Sequence, residues 1–202
     1  YSSSKACAEL VIDSYRNSFF NISEFSKHGI SISSVRAGNV IGGGDWAKNR
    51  LIPDIMRGAI NQNEIKIRNP KAVRPWQYVL DPLNGYMILA EKLWNDGSKF
   101  SEAWNFGPTH NEEPKTVSWI FNKINQHWET EIKSSVDYKK FNHESGLLIL
   151  NSDKAKSRLG WKSKIKIDLG IKLLVDWYKQ YQQKKDMKDI CLEQIKMFEK
   201  LD

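Results

Sequence analysis

Short runs of β-branched and aromatic residues alternate with stretches of helical period along most of this 202-residue chain. That alternation restricts the fold more than any other feature, because it argues for an α/β domain with parallel strands. The chain opens in a helical pattern, with Leu10, Val11, Tyr15 and Phe19 on one stripe. No capping residue stands before Tyr1, so this opening reads as a cut rather than a natural beginning. A strand is expected over 30–35, followed by a segment from Arg36 to Trp46 too rich in glycine for regular structure. The pattern predicts a helix over 51–60 and strands over 65–68 and 76–80. Asp81-Pro82 reads as a helix start, with aspartate as the cap and proline in the first helical position, and that helix should end near Gly97. Further strands are expected over 103–106, 132–136 and 147–150. Thr116 should cap a helix reaching Trp128, with more helices over 152–159, 169–184 and 187–201.

Composition excludes several functions. Apolar residues make up 40%, with 8 Trp, 8 Phe and 7 Tyr, enough for a real core. No run of eighteen apolar residues occurs, so no membrane span is expected. The first residues hold no signal-peptide core, and a reducing cytoplasm is the default setting. The two cysteines, Cys7 and Cys191, make neither a disulfide framework nor a zinc site, and His28, His110 and His127 lack metal-ligand spacing. The net charge of +7 owes much to twelve lysines in the last fifty residues. Basic chains suggest nucleic-acid binding. Here the lysines alternate with Leu, Trp and Ile at helical spacing, as on a solvated helix face, so no nucleic-acid partner is expected. Gly42-Gly43-Gly44 has the wrong spacing for a dinucleotide-binding turn and leads into no immediate helix.

Chemistry enters at Tyr1 and Lys5. Four residues apart on a helix, they share a face. A phenol, with a pKa of about 10, is too weak a base at neutral pH. A neighbouring ammonium favours the phenolate, so the pair can take a proton from a hydroxyl. The spacing alone identifies nothing, because Tyr181 and Lys185 repeat it in the basic tail, where they read as surface.

Context narrows the choice. Tyr1-Ser2-Ser3-Ser4-Lys5, then a strand, then Arg36-Ala37-Gly38-Asn39-Val40-Ile41-Gly42, resembles the extended short-chain dehydrogenase/reductases, the NAD-dependent epimerases and dehydratases. The segments Gly42 to Asp54, Ile67-Arg68-Asn69-Pro70, Arg74-Pro75-Trp76-Gln77 and Trp104-Asn105-Phe106-Gly107-Pro108 resemble the CDP-glucose 4,6-dehydratases within that family. The resemblance implies the C-terminal part of a Rossmann-like doubly wound sheet plus a smaller mixed α/β substrate-binding domain. The expected division places 1–49 with 77–107 in the dinucleotide-binding domain and 50–76 with 108–202 in the sugar-nucleotide domain.

The resemblance also implies roles. Tyr1 and Lys5 would be catalytic and would touch NAD, with Ala37 and Gly38 beside the nicotinamide. Asn39 would bind the sugar nucleotide near its phosphates, its alternative being a turn residue in the left-handed conformation. Arg50, Arg74, Arg68 and the backbone amide of Leu51 are candidates for the pyrophosphate, each arginine being otherwise a surface ion pair. His143 would contact phosphate or ribose, or stand as a solvated loop histidine. Trp46, Trp76 and Trp104 would wall the pocket or pack in the core. The implied reaction converts CDP-glucose to CDP-4-keto-6-deoxyglucose for deoxysugars of surface polysaccharides, in a homodimer built on the helix that starts at Tyr1. The family's glycine turn and elimination residues do not occur in these 202 residues, so the chain by itself is expected to be inactive. The alternatives are another nucleotide-sugar epimerase or dehydratase, or a non-catalytic sugar-nucleotide-binding fragment.

Overall fold

The structure is a computed structural model describing residues 2–108, 113–137 and 146–201. The helices are α1 (Ser2–Ser18), α2 (Phe25–His28), α3 (Leu51–Asn61), α4 (Leu80–Phe100), α5 (Val117–His127), α6 (Asp153–Leu159), α7 (Ile167–Gln182) and α8 (Met187–Glu199). The strands are β1 (Ser34–Ala37), β2 (Asn39–Ile41), β3 (Ile65–Ile67), β4 (Val73–Arg74), β5 (Trp76–Tyr78), β6 (Ala103–Phe106), β7 (Lys115–Thr116) and β8 (Ser134–Val136). Strand β1 pairs with β6, β2 with β5 and β3 with β8, all in parallel, while β4 and β7 pair antiparallel. The parallel pairs join strands far apart in sequence through helical crossovers, the α/β arrangement that the alternation implied.

The core forms where the helical period says it should. Ile52, Ile55, Met56 and Ala59 occupy one face of α3 and are buried. They meet Ile120 and Ile124 of α5 and Ile171, Leu174, Val175 and Tyr178 of α7, with Ile41 and Tyr78 completing the cluster. Each such side chain, fully buried, contributes about 1.5–3 kcal/mol. A second cluster gathers Leu89, Trp104, Phe106, Ala155, Leu159 and Trp161 between α4, β6 and α6. Trp104 is therefore a core residue.

Several expectations need correction. Arg36, Ala37 and Asn39 to Ile41 are not irregular: they lie in β1 and β2, because Phe106 and Trp76–Tyr78 offer parallel partners that override the local glycine signal. The irregular stretch begins only at Gly42. Asp81 does not cap α4, whose N-cap is Val79. Its fully buried carboxylate instead accepts bonds from the Ser163 hydroxyl (3.0 Å) and the Lys164 amide (2.6 Å). The end near Gly97 survives as a kink, with Asp96 at non-helical φ −152 and ψ 63. The 147–150 run makes one isolated bridge, Leu147 to Val73, and leaves Leu147, Leu148 and Ile149 exposed. Thr116 does cap α5, accepting from the Trp119 amide at 3.2 Å. The apolar stripe of α1 buries nothing: Leu10, Val11, Tyr15 and Phe19 are all exposed.

Candidate functional site

The two short strands β2 and β5 lie side by side, with Asn39 opposite Trp76. Just before them the chain makes a close approach. The Asn39 amide donates to the Pro75 carbonyl at 2.9 Å. At Gly38 a Cβ would meet that same carbonyl oxygen at 2.4 Å, so only glycine lets the two segments touch there. Arg50 ends the glycine-rich loop in extended conformation as the N-cap of α3, which places the Leu51 amide in the first turn of an eleven-residue helix. Amides there are unpaired within the helix and favour anions.

These pieces enclose one cleft of about 590 Å³, lined by Gly38, Asn39, Asp45, Arg50, Leu51, Arg74 and Trp76 among others. Its size suits a small ligand. Asn39 sits half-buried in β2 rather than in a turn and lines the cleft. The left-handed conformation, the alternative reading for Asn39, occurs instead at Asn49, at φ 62. Arg74 is buried to 8% exposure, with one guanidinium nitrogen on the Val73 carbonyl at 2.8 Å. Arg50 reaches outward, its side chain 70% exposed and 3.6 Å from the Asp45 carboxylate. Trp76, itself buried, forms part of the wall.

A smaller cavity of about 160 Å³ adjoins, sharing Leu51 and Val117 with the cleft and lined also by Asn49, Asp54, Ile67 and Arg68. Arg68 donates to the Asn49 side chain at 3.2 Å. The cleft therefore gathers Gly38, Asn39, Arg50, Leu51 and Arg74, and Arg68 stands at the neighbouring cavity. Ala37 is the last residue of β1, one position before Gly38, and Lys5 is exposed on α1. Tyr1 and His143, with His110, lie outside the described residues.

Sequence reasoning did not single out Asp45 or Asn49. Asp45 accepts from the Ala47 amide at 2.9 Å, and its own carbonyl accepts the Tyr178 hydroxyl at 2.7 Å. Burial, with the Asp45 carboxylate nearby, pushes the Tyr178 phenol up to about 12. Trp46 packs edge-on against Tyr178 (5.1 Å) and beside Tyr181 (5.0 Å), away from the cleft. Tyr181 and Lys185 are both exposed, as read from the sequence, and the Tyr181 ring also stacks on Trp177 at 5.8 Å. An asparagine just ahead of a helix was the available signal for Asn49. Asp45 bonds the nearby Ala47 amide, but its bond to Tyr178 spans 133 residues and has no local signal. Among the described residues no group of three His, Cys, Asp or Glu side chains is placed to hold a metal, and no helix is long and apolar enough to cross a membrane.

Solved structures that share this fold include nucleotide-sugar epimerases and a dehydratase. The dTDP-glucose 4,6-dehydratase of Bacillus anthracis in complex with NAD superimposes with a TM-score of 0.64, at 20% identity over 91% of this chain and 53% of its own. The UDP-N-acetylglucosamine 4-epimerase of Methanobrevibacter ruminantium gives 0.68, at 16% identity over 90% of this chain and 54% of its own. At such identities the likeness establishes the fold. Residues 1–174 match the family described as GDP-mannose 4,6 dehydratase, and the chain belongs to that family. It is 47% identical over 187 residues to the CDP-glucose 4,6-dehydratase of Salmonella typhimurium, covering 93% of this chain and 52% of the relative. A trifunctional UDP-glucose 4,6-dehydratase of Arabidopsis thaliana is 25% identical over 182 residues, covering 89% of this chain and 24% of the relative. The chain spans about half the length of the first curated relatives it matches, 52% in each of two cases.

Proposed function

We propose that this chain is the sugar-nucleotide-binding and proton-transferring part of an NAD-dependent 4,6-dehydratase acting on CDP-glucose. The observation that carries the reading is the convergence of Asn39, Arg50, the Leu51 amide and Arg74 on one cleft, in a chain 47% identical to a CDP-glucose 4,6-dehydratase. Two guanidinium groups, a helix N-terminus and a carboxamide are what a diphosphate needs: charge, donors and a fixed direction. In this reading the pyrophosphate lies between Arg74 and the start of α3. The base enters the smaller cavity near Asn49 and Arg68, and the sugar points toward Gly38.

Lys5, Ala37 and Gly38 fit the nicotinamide end of a dinucleotide. Ala37 and Gly38 stand at the carboxyl end of β1 in a parallel pair, where α/β folds bind ligands. Small side chains there leave room for a planar ring, and the Lys5 ammonium is a donor suited to ribose hydroxyls. NAD, when bound, supplies the acceptor and later the donor of hydride. The chain's own residues hold the diphosphate and move a proton. Tyr1, one helical turn before Lys5 in the sequence, takes the proton of the sugar 4-hydroxyl. The carbonyl that results at C4 acidifies C5–H, so that water can leave across C5 and C6.

The test is turnover by the intact protein supplied with NAD and, in separate assays, CDP-, dTDP-, UDP- and GDP-linked sugars, read as appearance of the 4-keto chromophore. CDP-glucose should be preferred. Preference for another nucleotide would reassign the substrate within the same reaction class. Tight binding of CDP-glucose with no turnover would replace the enzyme by a binding protein.

A further inference from the structure

Helix α1 carries Lys5, and its apolar side chains Leu10, Val11 and Tyr15 are 70%, 57% and 51% exposed among the described residues. Arg16 and Glu9 of α1 hydrogen-bond to residues beyond the helix. Arg16 donates to the Ile32 carbonyl at 3.2 Å. Glu9 meets Arg36 of β1 with both oxygens, at 2.7 Å from Nε and 2.5 Å from Nη2, and also accepts the Ser34 hydroxyl at 3.0 Å. A fork-to-carboxylate pair fixes orientation as well as distance. Arg36 in turn donates from Nη1 to the Asn105 side chain on β6 at 3.3 Å, so Glu9 is tied to both strands of the β1–β6 pair.

Position matters more than strength here. Lys5 and Glu9 are four residues apart, on one face of α1 and about 6 Å apart along its axis. A slip of one residue at Glu9 would turn Lys5 about 100° away. At the other end of the contact, Arg36 immediately precedes Ala37 and Gly38. One ion pair thus spans the two segments that, on the reading above, face the same cofactor. Arg36 holds the Glu9 carboxyl below its usual range, with Arg16 adding to the effect, and Glu9 raises the Arg36 guanidinium in return. The pair is half-exposed, with side chains 35% and 43% accessible, so its contribution to global stability is small.

We propose that Glu9 is a positioning residue: its two-oxygen pairing with Arg36 sets the rotation and height of α1, and so holds Lys5 in register with Ala37 and Gly38. The inference rests on the proposed dehydratase reading, and it makes a structural claim that can be measured without substrate.

The experiment compares the intact wild-type protein with Glu9→Gln, Arg36→Lys and the exchanged pair Glu9→Arg/Arg36→Glu. Hydrogen exchange over residues 2–18 is followed first, with no ligand present. Faster exchange in both single variants, partly restored in the exchanged pair, is the expected result. Turnover of CDP-glucose should then fall in the single variants by about 10- to 100-fold in kcat, as for a small misplacement of a reacting group. KM should stay within about twofold, because the sugar-nucleotide cleft is untouched. Arg36→Lys keeps the charge and loses only the fork, so it reports even if Glu9→Gln fails to fold. Unchanged exchange over 2–18, or a rise in KM with kcat unchanged, overturns the proposal. Absence of turnover in the wild type counts against the dehydratase reading, and the exchange result then decides the clamp by itself.

Discussion

The hydroxyl of Tyr178, near the end of α7, donates a 2.7 Å hydrogen bond to the backbone carbonyl of Asp45 in the glycine-rich loop. The contact joins positions 133 residues apart and fastens the loop that leads into Arg50 and α3. Tyr178→Phe keeps the ring and removes the bond. Unfolding in denaturant should show a loss of about 1 kcal/mol, and loop residues 42–46 should exchange their amides faster. Unchanged exchange there would mean that ring packing alone holds the loop.

The same loop depends on a missing side chain. A Cβ on Gly43 would lie 2.2 Å from two carbons of the Trp177 indole, inside van der Waals contact. Gly43→Ala should cost about 1–3 kcal/mol, the usual range for overpacking. It should also shift Trp177 fluorescence, since the indole must give way. A variant as stable as wild type would show that the approach is looser than the structure indicates.

Asp81 holds the start of α4 to the segment ahead of α7. Its buried carboxylate takes the Lys164 amide at 2.6 Å, the Ile165 amide at 3.3 Å and the Ser163 hydroxyl at 3.0 Å. Asp81→Ala strands buried donors and should lose about 3 kcal/mol or more in chemical denaturation. Asp81→Asn should lose less, because one amide oxygen can still accept.

Arg74 is the buried cation of the proposed diphosphate cleft. Arg74→Lys retains charge and gives up the planar fork. Titration calorimetry of the intact protein with CDP-glucose should show affinity reduced at least tenfold, since one hydrogen bond to a charged group contributes about 1.5–3 kcal/mol. Affinity within a factor of two of wild type would place the diphosphate elsewhere.

Glu102 gives a pH dependence of definite sign. Burial pushes its carboxyl up, but Lys154 and Arg158, both bonded to it from α6, outweigh burial and hold it below the usual carboxylate range. A lowered folded pKa contributes stability that is fully present above the unfolded value of about 4.3 and is lost as pH falls through the folded one. Glu102→Gln should therefore melt lower than wild type at pH 7, and the gap should close as pH drops below about 4. The pair is partly exposed, so the gap should be small, and a gap that widens in acid would contradict this account.

Much of this protein is written locally. The amphipathic face of α3, the Thr116 cap and the strand at Ala103–Phe106 follow from the period of apolar residues and from single capping or breaking residues, which act within a few positions of themselves. The candidate cleft residues Asn39, Arg50, Leu51 and Arg74 came from the family resemblance rather than from any local pattern, and all four line one cleft. What local sequence could not decide was which distant partner each segment would find. Asp81 looked like a helix cap and became a buried anchor for the segment at 163–165, because two amides and a hydroxyl from that segment satisfy its oxygens more fully than one helix end could. The segment around Asn39 looked irregular and became part of a strand, because Trp76 lies beside it. The Glu9–Arg36 pair and the Tyr178–Asp45 bond are invisible to any local window, since each spans tens of residues or more. Periodicity and capping depend on neighbours along the chain, and so can be read from the sequence. Pairing, anchoring and the shape of a cleft depend on neighbours in space, and only the folded chain supplies those.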